Sequence, residues 1–269
     1  MKPNLRIGAL ISGGGTNLQA VIDACENQSI SGQVVFVGTD NPEAKGLERA
    51  RRQSIPSFVV DYGSLLAAYR QDPAGHPLPD DFDLADIQKK CSLFPPGAKT
   101  DRIRRFLETR AIAEAALIAA MKPYPYDLLI LAGFMRTLSP YFIDRVNTDR
   151  TRPRIMNIHP ALLPSFPGTD GYGDTYRYGC KIGCCAVHFI DYGEDSGPII
   201  GQRAFAILPD DTLDDIVDVG EIAAVVTVIE DVDGLPGKDL PGKQEQRHIR
   251  PAPGAVHSKE PESRSGQAV

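Results

Sequence analysis

The sequence alternates short apolar, β-branched runs with longer stretches of helical pattern. The runs predicted as strands are residues 6–11, 33–38, 57–60, 127–132 and 154–158. The stretches predicted as helices are residues 16–25, 43–53, 101–121 and 138–146. Because parallel strands need crossover helices, the alternation predicts an α/β, Rossmann-like fold, in which a mostly parallel twisted sheet carries helices on both faces. Residues 128–131 are apolar throughout, which is typical of a strand buried on both sides.

The remainder of the chain departs from this alternation in three places. Residues 184–190 and 199–207 are predicted as two further strands, forming a C-terminal antiparallel part of the sheet. Residues 70–100 hold an excess of Pro, Gly and Asp and are interpreted as an insertion. Residues 233–269 contain much Gly, Pro, Lys, Glu and Ser, and cannot bury enough apolar surface to offset their ordering entropy. We therefore predict a single domain over residues 1–232 and a disordered tail over residues 233–269.

Composition excludes several classes of protein. The 269 residues are 42% hydrophobic and 24% charged, close to the average of globular domains. A net charge of -6 disfavours nucleic acid as a partner, and no apolar stretch approaches the length needed to cross a bilayer. Five cysteines in a chain of this length fit a reducing cytoplasm. Cys180, Cys184 and Cys185 are interpreted as structural thiols rather than metal ligands, so no metal is expected. For the oligomeric state, a monomer and a homodimer are both compatible with the sequence.

A glycine-rich loop follows the first predicted strand and begins the first predicted helix. Glycines let a backbone approach a ligand closely, and the free amides of a helix N-terminus attract anions. The glycine pattern of dinucleotide-binding loops is absent, because Leu18 stands at its third glycine position. The loop is also not of the kind that binds nucleoside triphosphates, because no Gly-Lys-Ser/Thr follows. The loop therefore predicts a site for a single phosphate at Gly15, Thr16 and Asn17, although a plain strand–helix turn is the alternative.

Two polar side chains share one face at the end of the strand predicted over residues 154–158. Asn157 and His159 are two positions apart, and Pro160 stops the strand. An amide beside an imidazole combines an oxyanion donor with a proton carrier. Asp195, in a glycine-bounded turn, could reach His159 and favour its charged form, although a solvated turn is the alternative. His188 lies within a predicted strand and is interpreted as a core histidine.

Several segments together resemble one known family. They are residues 11–20, 45–50, 131–140, 157–164 and 188–198. In combination they resemble the phosphoribosylglycinamide formyltransferases, which are folate-dependent enzymes of purine biosynthesis. The Asn-Ile-His-Pro and Leu-Leu-Pro pair is shared with other formyl-folate hydrolases and transferases, whereas the Gly-Thr-Asn-Leu loop narrows the resemblance to a ribotide substrate. The similarity extends from residue 5 to about residue 215, interrupted by the insertion.

The resemblance implies a role for each matching residue. Gly15, Thr16 and Asn17 would hold the phosphate of phosphoribosylglycinamide. Asn157 would bind the formyl oxygen of 10-formyltetrahydrofolate, the co-substrate, and His159 would be the general acid whose charge Asp195 sets. The residues implied to bind the folate are Arg110, Met135, Arg136, Thr137, Leu138 and Asn157. For Arg110 a solvated helix arginine is an equal alternative, because the insertion precedes it.

Three departures from the family pattern leave other functions open. The insertion over residues 70–100 has no counterpart in short members, and it could cover the site or decorate an edge. Cys184 and Cys185 stand where small polar residues are common. Residues 216–232 include Gly220 and many β-branched residues, which weaken a helix, and Glu221 could stand in for a missing acid. A 10-formyltetrahydrofolate hydrolase and a non-catalytic folate- or ribotide-binding module are therefore the alternatives to a transferase.

Overall fold

A seven-stranded sheet forms the centre of the molecule. The computed structural model of the chain describes residues 5–149 and 151–220. The strands are β1 (Leu5–Ile11), β2 (Gly32–Thr39), β3 (Ser57–Val59), β4 (Leu128–Leu131), β5 (Ile155–His159), β6 (Ile182–Phe189) and β7 (Ile199–Ala206). Their order is β3-β2-β1-β4-β5-β6-β7. Strands β1 to β5 pair in parallel, and β6 and β7 add antiparallel pairings. The predicted α/β, Rossmann-like fold with antiparallel C-terminal strands is confirmed.

Helices cover the sheet on its two faces. They are α1 (Thr16–Glu26), α2 (Gly46–Arg52), α3 (Tyr62–Gln71), α4 (Leu84–Lys90), α5 (Thr100–Met121), α6 (Pro140–Val146) and α7 (Gly171–Tyr178). Residues 213–220 are also helical. In the described part of the chain, none of these helices has the length and apolarity that a membrane crossing requires.

The alternation of side chains along β1 divides the core between the two faces of the sheet. Ile7 and Ile11 pack with the buried side of α1, including Leu18. Leu10 points the other way and packs with Leu117 of α5 and other buried residues of α3 and α6. Each fully buried aliphatic side chain of this kind stabilises the fold by roughly 1.5–3 kcal/mol. The two apolar layers explain why the central strands show continuous rather than alternating hydrophobicity.

The predicted insertion over residues 70–100 is a packed part of the fold. It begins at the end of α3, and Asp83 caps α4 by accepting hydrogen bonds from the amides of Ala85 and Asp86. On α4, Ile87 is buried against Leu107 of α5 and other residues of α5 and α6. The sequence pattern missed α3, α4 and α7 because these helices have only 10, 7 and 8 residues, and so short a segment gives a weak periodic signal. The predicted tail over residues 233–269 lies outside the described residues.

The strand order brings together the loops that carry most of the predicted site residues. Strand β1 lies between β2 and β4, so the chain crosses to opposite faces of the sheet after β1 and after β4. Ligands of open α/β sheets bind at the carboxyl ends of the strands, beside such a reversal. The loops following β1, β4 and β5 therefore meet at one edge of the sheet.

Candidate active site

A cleft of about 320 Å³ opens at the carboxyl ends of β1, β4 and β5. This volume lies in the range of small-molecule sites. The residues that line it and were also predicted as site residues are Asn17, Met135, Arg136, Thr137, Leu138, Asn157, His159 and Asp195. Gly15, Thr16 and Arg110 were predicted as well but do not line it. Eight of the predicted residues, from four separate segments of the chain, thus converge on one cavity.

His159 ends β5 and has an oxygen acceptor at each ring nitrogen. Its Nδ1 lies 3.3 Å from the Asp195 Oδ2 atom. Its Nε2 lies 2.8 Å from the carbonyl oxygen of Phe166. Its side chain is 3% exposed. Because both nitrogens face acceptors, the doubly protonated imidazolium is the form in which each N–H has a partner.

Asp195 is held in the anionic form within the loop between β6 and β7. Its Oδ2 accepts a hydrogen bond of 2.8 Å from the amide of Gly168. Burial opposes ionisation, but the contacts with His188, with the Gly168 amide and with His159 outweigh it and hold the pKa of Asp195 below its ordinary value. The carboxylate therefore stays charged at neutral pH, and the sequence prediction that it reaches His159 is confirmed by the 3.3 Å contact.

His188 is a site residue that the sequence interpretation did not assign. It is buried, as predicted for a core histidine, but its Nε2 lies 3.2 Å from the Asn157 amide nitrogen and 3.6 Å from the Asp195 Oδ1 atom. Its Nδ1 donates to the Phe189 carbonyl at 3.0 Å. The antiparallel pairing of Asn157 with His188 across β5 and β6 places the ring there, and only knowledge of that register could have revealed it.

Asn157 shares the cleft with His159, as the strand spacing predicts. The Asn157 amide nitrogen carries two N–H groups, so its contact with the His188 Nε2 atom leaves one N–H for a ligand oxygen. The amide and the imidazole of His159 thus form a pair of hydrogen-bond donors on one face of β5.

The glycine-rich loop places only Asn17 in the cleft. Gly15 is the N-cap of α1, has a φ of 73° and lies against Gly46 of α2. Arg49, also of α2, donates to the Gly14 carbonyl at 2.9 Å. Gly15 therefore allows the loop to pack on α2. Arg49 anchors the loop, a role that the sequence interpretation missed. No side chain caps the first turn of α1.

We expect Gly15→Ala to destabilise the protein and to disorder this loop. A Cβ at Gly15 would lie 2.8 Å from the Cα of Gly46 and would stand on a left-handed backbone. Together, the strain and the overlap cost at least about 2 kcal/mol. Chemical denaturation checks this value. Gly13→Ala is the matched control, because a Cβ there meets nothing within 4 Å. Equal stability of both variants would contradict this interpretation.

The segment from Met135 to Leu138 forms one wall of the cleft and is tied to the glycine-rich loop. The Met135 amide donates to the Ser12 hydroxyl at 2.8 Å. The same hydroxyl donates to Asp40, which also pairs with the Arg136 guanidinium. The Asp40 side chain is 2% exposed, so a buried carboxylate joins the loops that follow β1 and β4.

Arg110 lies behind the cleft rather than in it. Its guanidinium packs over the rings of Tyr62 and Phe106, at 5.8 and 5.1 Å from their centroids. Burial lowers its pKa, and its buried Nη1 has no hydrogen-bond partner in the described part of the protein. The alternative of a solvated helix arginine is therefore wrong, because apolar and aromatic groups enclose the side chain.

Glu114, one turn further along α5, is a fully buried acid beside this arginine. It accepts a hydrogen bond of 2.7 Å from the Ser139 amide, and a second contact joins it to the Ser139 hydroxyl. Burial raises the pKa of Glu114 to about 8, against the smaller opposing effect of these hydrogen bonds. The protonated acid thus bridges α5 to the N-terminus of α6.

We expect this acid to make stability depend on pH. Its folded pKa lies above its unfolded value, so the folded state binds the extra proton between about pH 4.5 and pH 8. Stability is then lost as the pH rises through this window, by up to about 1.4 kcal/mol per pH unit. Glu114→Gln should flatten the dependence, measured by urea denaturation at several pH values, whereas Glu108→Gln on the same helix should not. An unchanged slope in Glu114→Gln would refute this account.

Two of the departures from the family pattern are the paired cysteines and the glycine of the C-terminal helical segment, and the structure shows where both lie. Cys184 and Cys185 are buried in β6, and no group of His, Cys, Asp or Glu within residues 5–149 and 151–220 could hold a metal ion. Val217 lines the cleft. Gly220 lies so close to the Tyr172 ring that a Cβ would approach it to 2.2 Å. Gly220, which weakens the helix pattern, is thus explained by packing, and Glu221 lies outside the described residues.

Comparison with known proteins agrees with this geometry. The formyl transferase family model matches residues 5–232. The chain is 33% identical over 227 residues to phosphoribosylglycinamide formyltransferase of Mycobacterium tuberculosis, covering 83% of each. It is 32% identical to the enzyme of that name from Escherichia coli, covering 79% of this chain and 78% of that one. It is 35% identical to the trifunctional purine biosynthetic protein adenosine-3 of Drosophila melanogaster, covering 78% of this chain but only 12% of that protein.

A solved structure extends the similarity to three dimensions. Glycinamide ribonucleotide transformylase 1 from Symbiobacterium toebii matches with a TM-score of 0.63 and 31% identity, over 87% of this chain and 88% of that one. The residues matched by the family model include every side chain of the cleft described above. The chain therefore belongs to the formyl transferase family, and within it to the phosphoribosylglycinamide formyltransferases.

Proposed function

We propose that the protein transfers the formyl group of 10-formyltetrahydrofolate to the amine of 5-phosphoribosylglycinamide, a step of purine biosynthesis. The observation that carries the proposal is the convergence of Asn157, His159 and Asp195 on a cleft that Asn17 and the 135–138 segment also line. A direct attack of the amine on the formyl carbon needs no covalent enzyme intermediate. Such an attack needs donors for the developing oxyanion, a proton carrier and two positioned substrates.

In this proposal, Asn157 and His159 stabilise the charge that develops on the formyl oxygen. The free N–H of Asn157 and the imidazolium N–H of His159 project from one face of β5. Donors of this kind lower the barrier by roughly 3 kcal/mol each. Asp195 supports the charged imidazole through the 3.3 Å contact with Nδ1, which leaves Nε2 as the atom that donates.

His159 must exchange one hydrogen bond to act on a substrate. Its Nε2 donates to the Phe166 carbonyl, and Phe166 has the unfavourable positive φ of 56°. A formyl oxygen entering the cleft would replace this carbonyl as the acceptor. The proton of the attacking amine then passes to the folate nitrogen that leaves, through His159, Asp195 or a water molecule between them.

The substrates are assigned to opposite parts of the cleft. Gly15, Thr16 and Asn17 would hold the ribotide phosphate at the N-terminus of α1, where anions bind favourably. The Asn17 Oδ1 atom is buried without a hydrogen-bond partner among the described residues, which suits a ligand donor. Met135 to Leu138 would hold the pterin, and Arg110 would support that wall from behind. The five free thiols of residues 5–149 and 151–220 suit a cytoplasmic reaction.

The test is formyl release from 10-formyltetrahydrofolate, measured with and without the ribotide. Turnover that depends on the ribotide supports the transferase. Turnover of equal rate without it would establish the hydrolase instead, and binding of both ligands without turnover would establish the non-catalytic module.

A further inference from the structure

The insertion over residues 70–100 ends beside the loop that carries Asp195. The Ser92 amide, two residues beyond the end of α4, donates to the Tyr192 carbonyl at 3.0 Å. On α4, the Lys90 Nζ atom lies 2.7 Å from Asp144 Oδ2. The Tyr192 hydroxyl donates to the other oxygen of Asp144. Tyr192 is thus held at its backbone by the insertion and at its hydroxyl by a carboxylate that Lys90 neutralises.

Tyr192 stands within the part of this loop that shapes the cleft. Its neighbours Asp191 and Gly193 line the cavity, and so does Ile190 before them. Asp195 follows three positions later with a φ of 48°. A non-glycine residue keeps such a conformation only where surrounding contacts hold it. The contacts at Tyr192 are placed to supply part of that restraint.

The base of this contact is rigid. Ile87 of α4 is buried against α5. Before α4, Asp81 accepts from the Tyr141 hydroxyl at 3.1 Å and pairs with Arg145 at 2.6 Å, both on α6. Lys90 and Asp144 are 21% and 24% exposed, so solvent screens their pairing less than it screens a surface salt bridge.

We propose that the insertion is a clamp on the catalytic loop, in which Lys90 and the Ser92 amide hold Tyr192 and thereby position Asp195 and the adjoining cleft wall. Lys90 is a positioning residue, because neither it nor its ion-pair partners Asp86 and Asp144 line the cleft. The expected effect of the clamp on catalysis rests on the proposed function. The geometry of the clamp itself does not depend on it.

The first test compares Lys90→Met with Lys89→Met, its exposed neighbour. We expect Lys90→Met to lower kcat/KM by about 10-fold, since small misplacements of catalytic groups have effects of this size or larger. Most of the loss should fall on kcat and on KM for the folate, with ribotide binding unchanged. Lys90→Arg should restore most of the activity. Equal kcat/KM in Lys90→Met and Lys89→Met would refute the clamp, and absence of turnover in the wild type would refute the proposed function instead.

The second test removes the backbone contact and does not require turnover. Ser92→Pro deletes the amide donor, and Cys91 before it already has the extended conformation, φ −70° and ψ 117°, that precedes proline. Ser92→Ala keeps the amide and is the matched control. Amide hydrogen exchange over residues 190–198 should quicken in Ser92→Pro and in Lys90→Met but not in either control. Unchanged exchange in both clamp variants would overturn the proposal.

Discussion

Replacing His159 with alanine is expected to reduce formyl transfer by at least about 10²–10⁴-fold, the contribution typical of a positioned general acid. The imidazole lines the cleft and faces the Asp195 carboxylate through one ring nitrogen and the Phe166 carbonyl through the other. Alanine removes the proton carrier and one of the two oxyanion donors. The expected loss falls on kcat, measured with saturating ribotide and formyl-folate.

Ribotide binding should survive this change, because the glycine-rich loop and Asn17 belong to β1 and α1 rather than to β5. Calorimetric titration of the ribotide checks this independence. Since His159 is buried, His159→Gln keeps more of the volume and separates loss of chemistry from loss of folding. Turnover near the wild-type rate in either folded variant would end the assignment of His159 as the acid.

The second large effect is expected for Asp195→Asn, with a loss of about 10²–10⁴-fold in kcat. The substitution preserves the shape of the side chain, and asparagine tolerates the positive φ at this position as well as aspartate does. What it removes is the negative charge beside His159 and His188. The imidazolium then loses its ion-pair partner.

The pH dependence distinguishes this role from a structural one. Because the pKa of Asp195 lies below its ordinary value, the wild-type carboxylate stays ionised from neutral pH down to about pH 4. In the variant this ionisable group is absent, so the fall in rate that protonation of Asp195 causes at acid pH should disappear from the pH–rate profile. Asp214→Asn, which alters an exposed carboxylate outside the cleft, is the control. A uniform loss of rate with no change in profile would contradict the electrostatic role.

Local sequence patterns predicted the parts of the site that one strand or one turn determines. Asn157 and His159 share a face because side chains alternate along a strand, and Pro160 ends that strand. The apolar run over residues 128–131 predicted a buried strand because both faces of the sheet are covered. These properties depend on neighbours within a few residues, so the local sequence pattern was sufficient to predict them.

Contacts between distant segments were predicted less well. His188 was assigned to the core, and it is buried there, but the β5–β6 register brings it to Asn157 and Asp195. Gly15 was assigned to phosphate binding from its sequence position alone, and its close packing on Gly46 was not predicted. The insertion has a composition typical of a loop, yet α4 within it is buried against α5 and α6.

The sequence by itself determined the class of fold, the position of the cleft at the carboxyl ends of the strands and the chemical types of its main groups. Hydrophobic periodicity and turn residues express these features directly. Only the tertiary structure decided which carboxylate meets which imidazole, that Arg110 lies behind the cleft, and that the insertion reaches Tyr192. Those outcomes depend on strand register and helix packing between segments far apart in the chain, which no local pattern encodes.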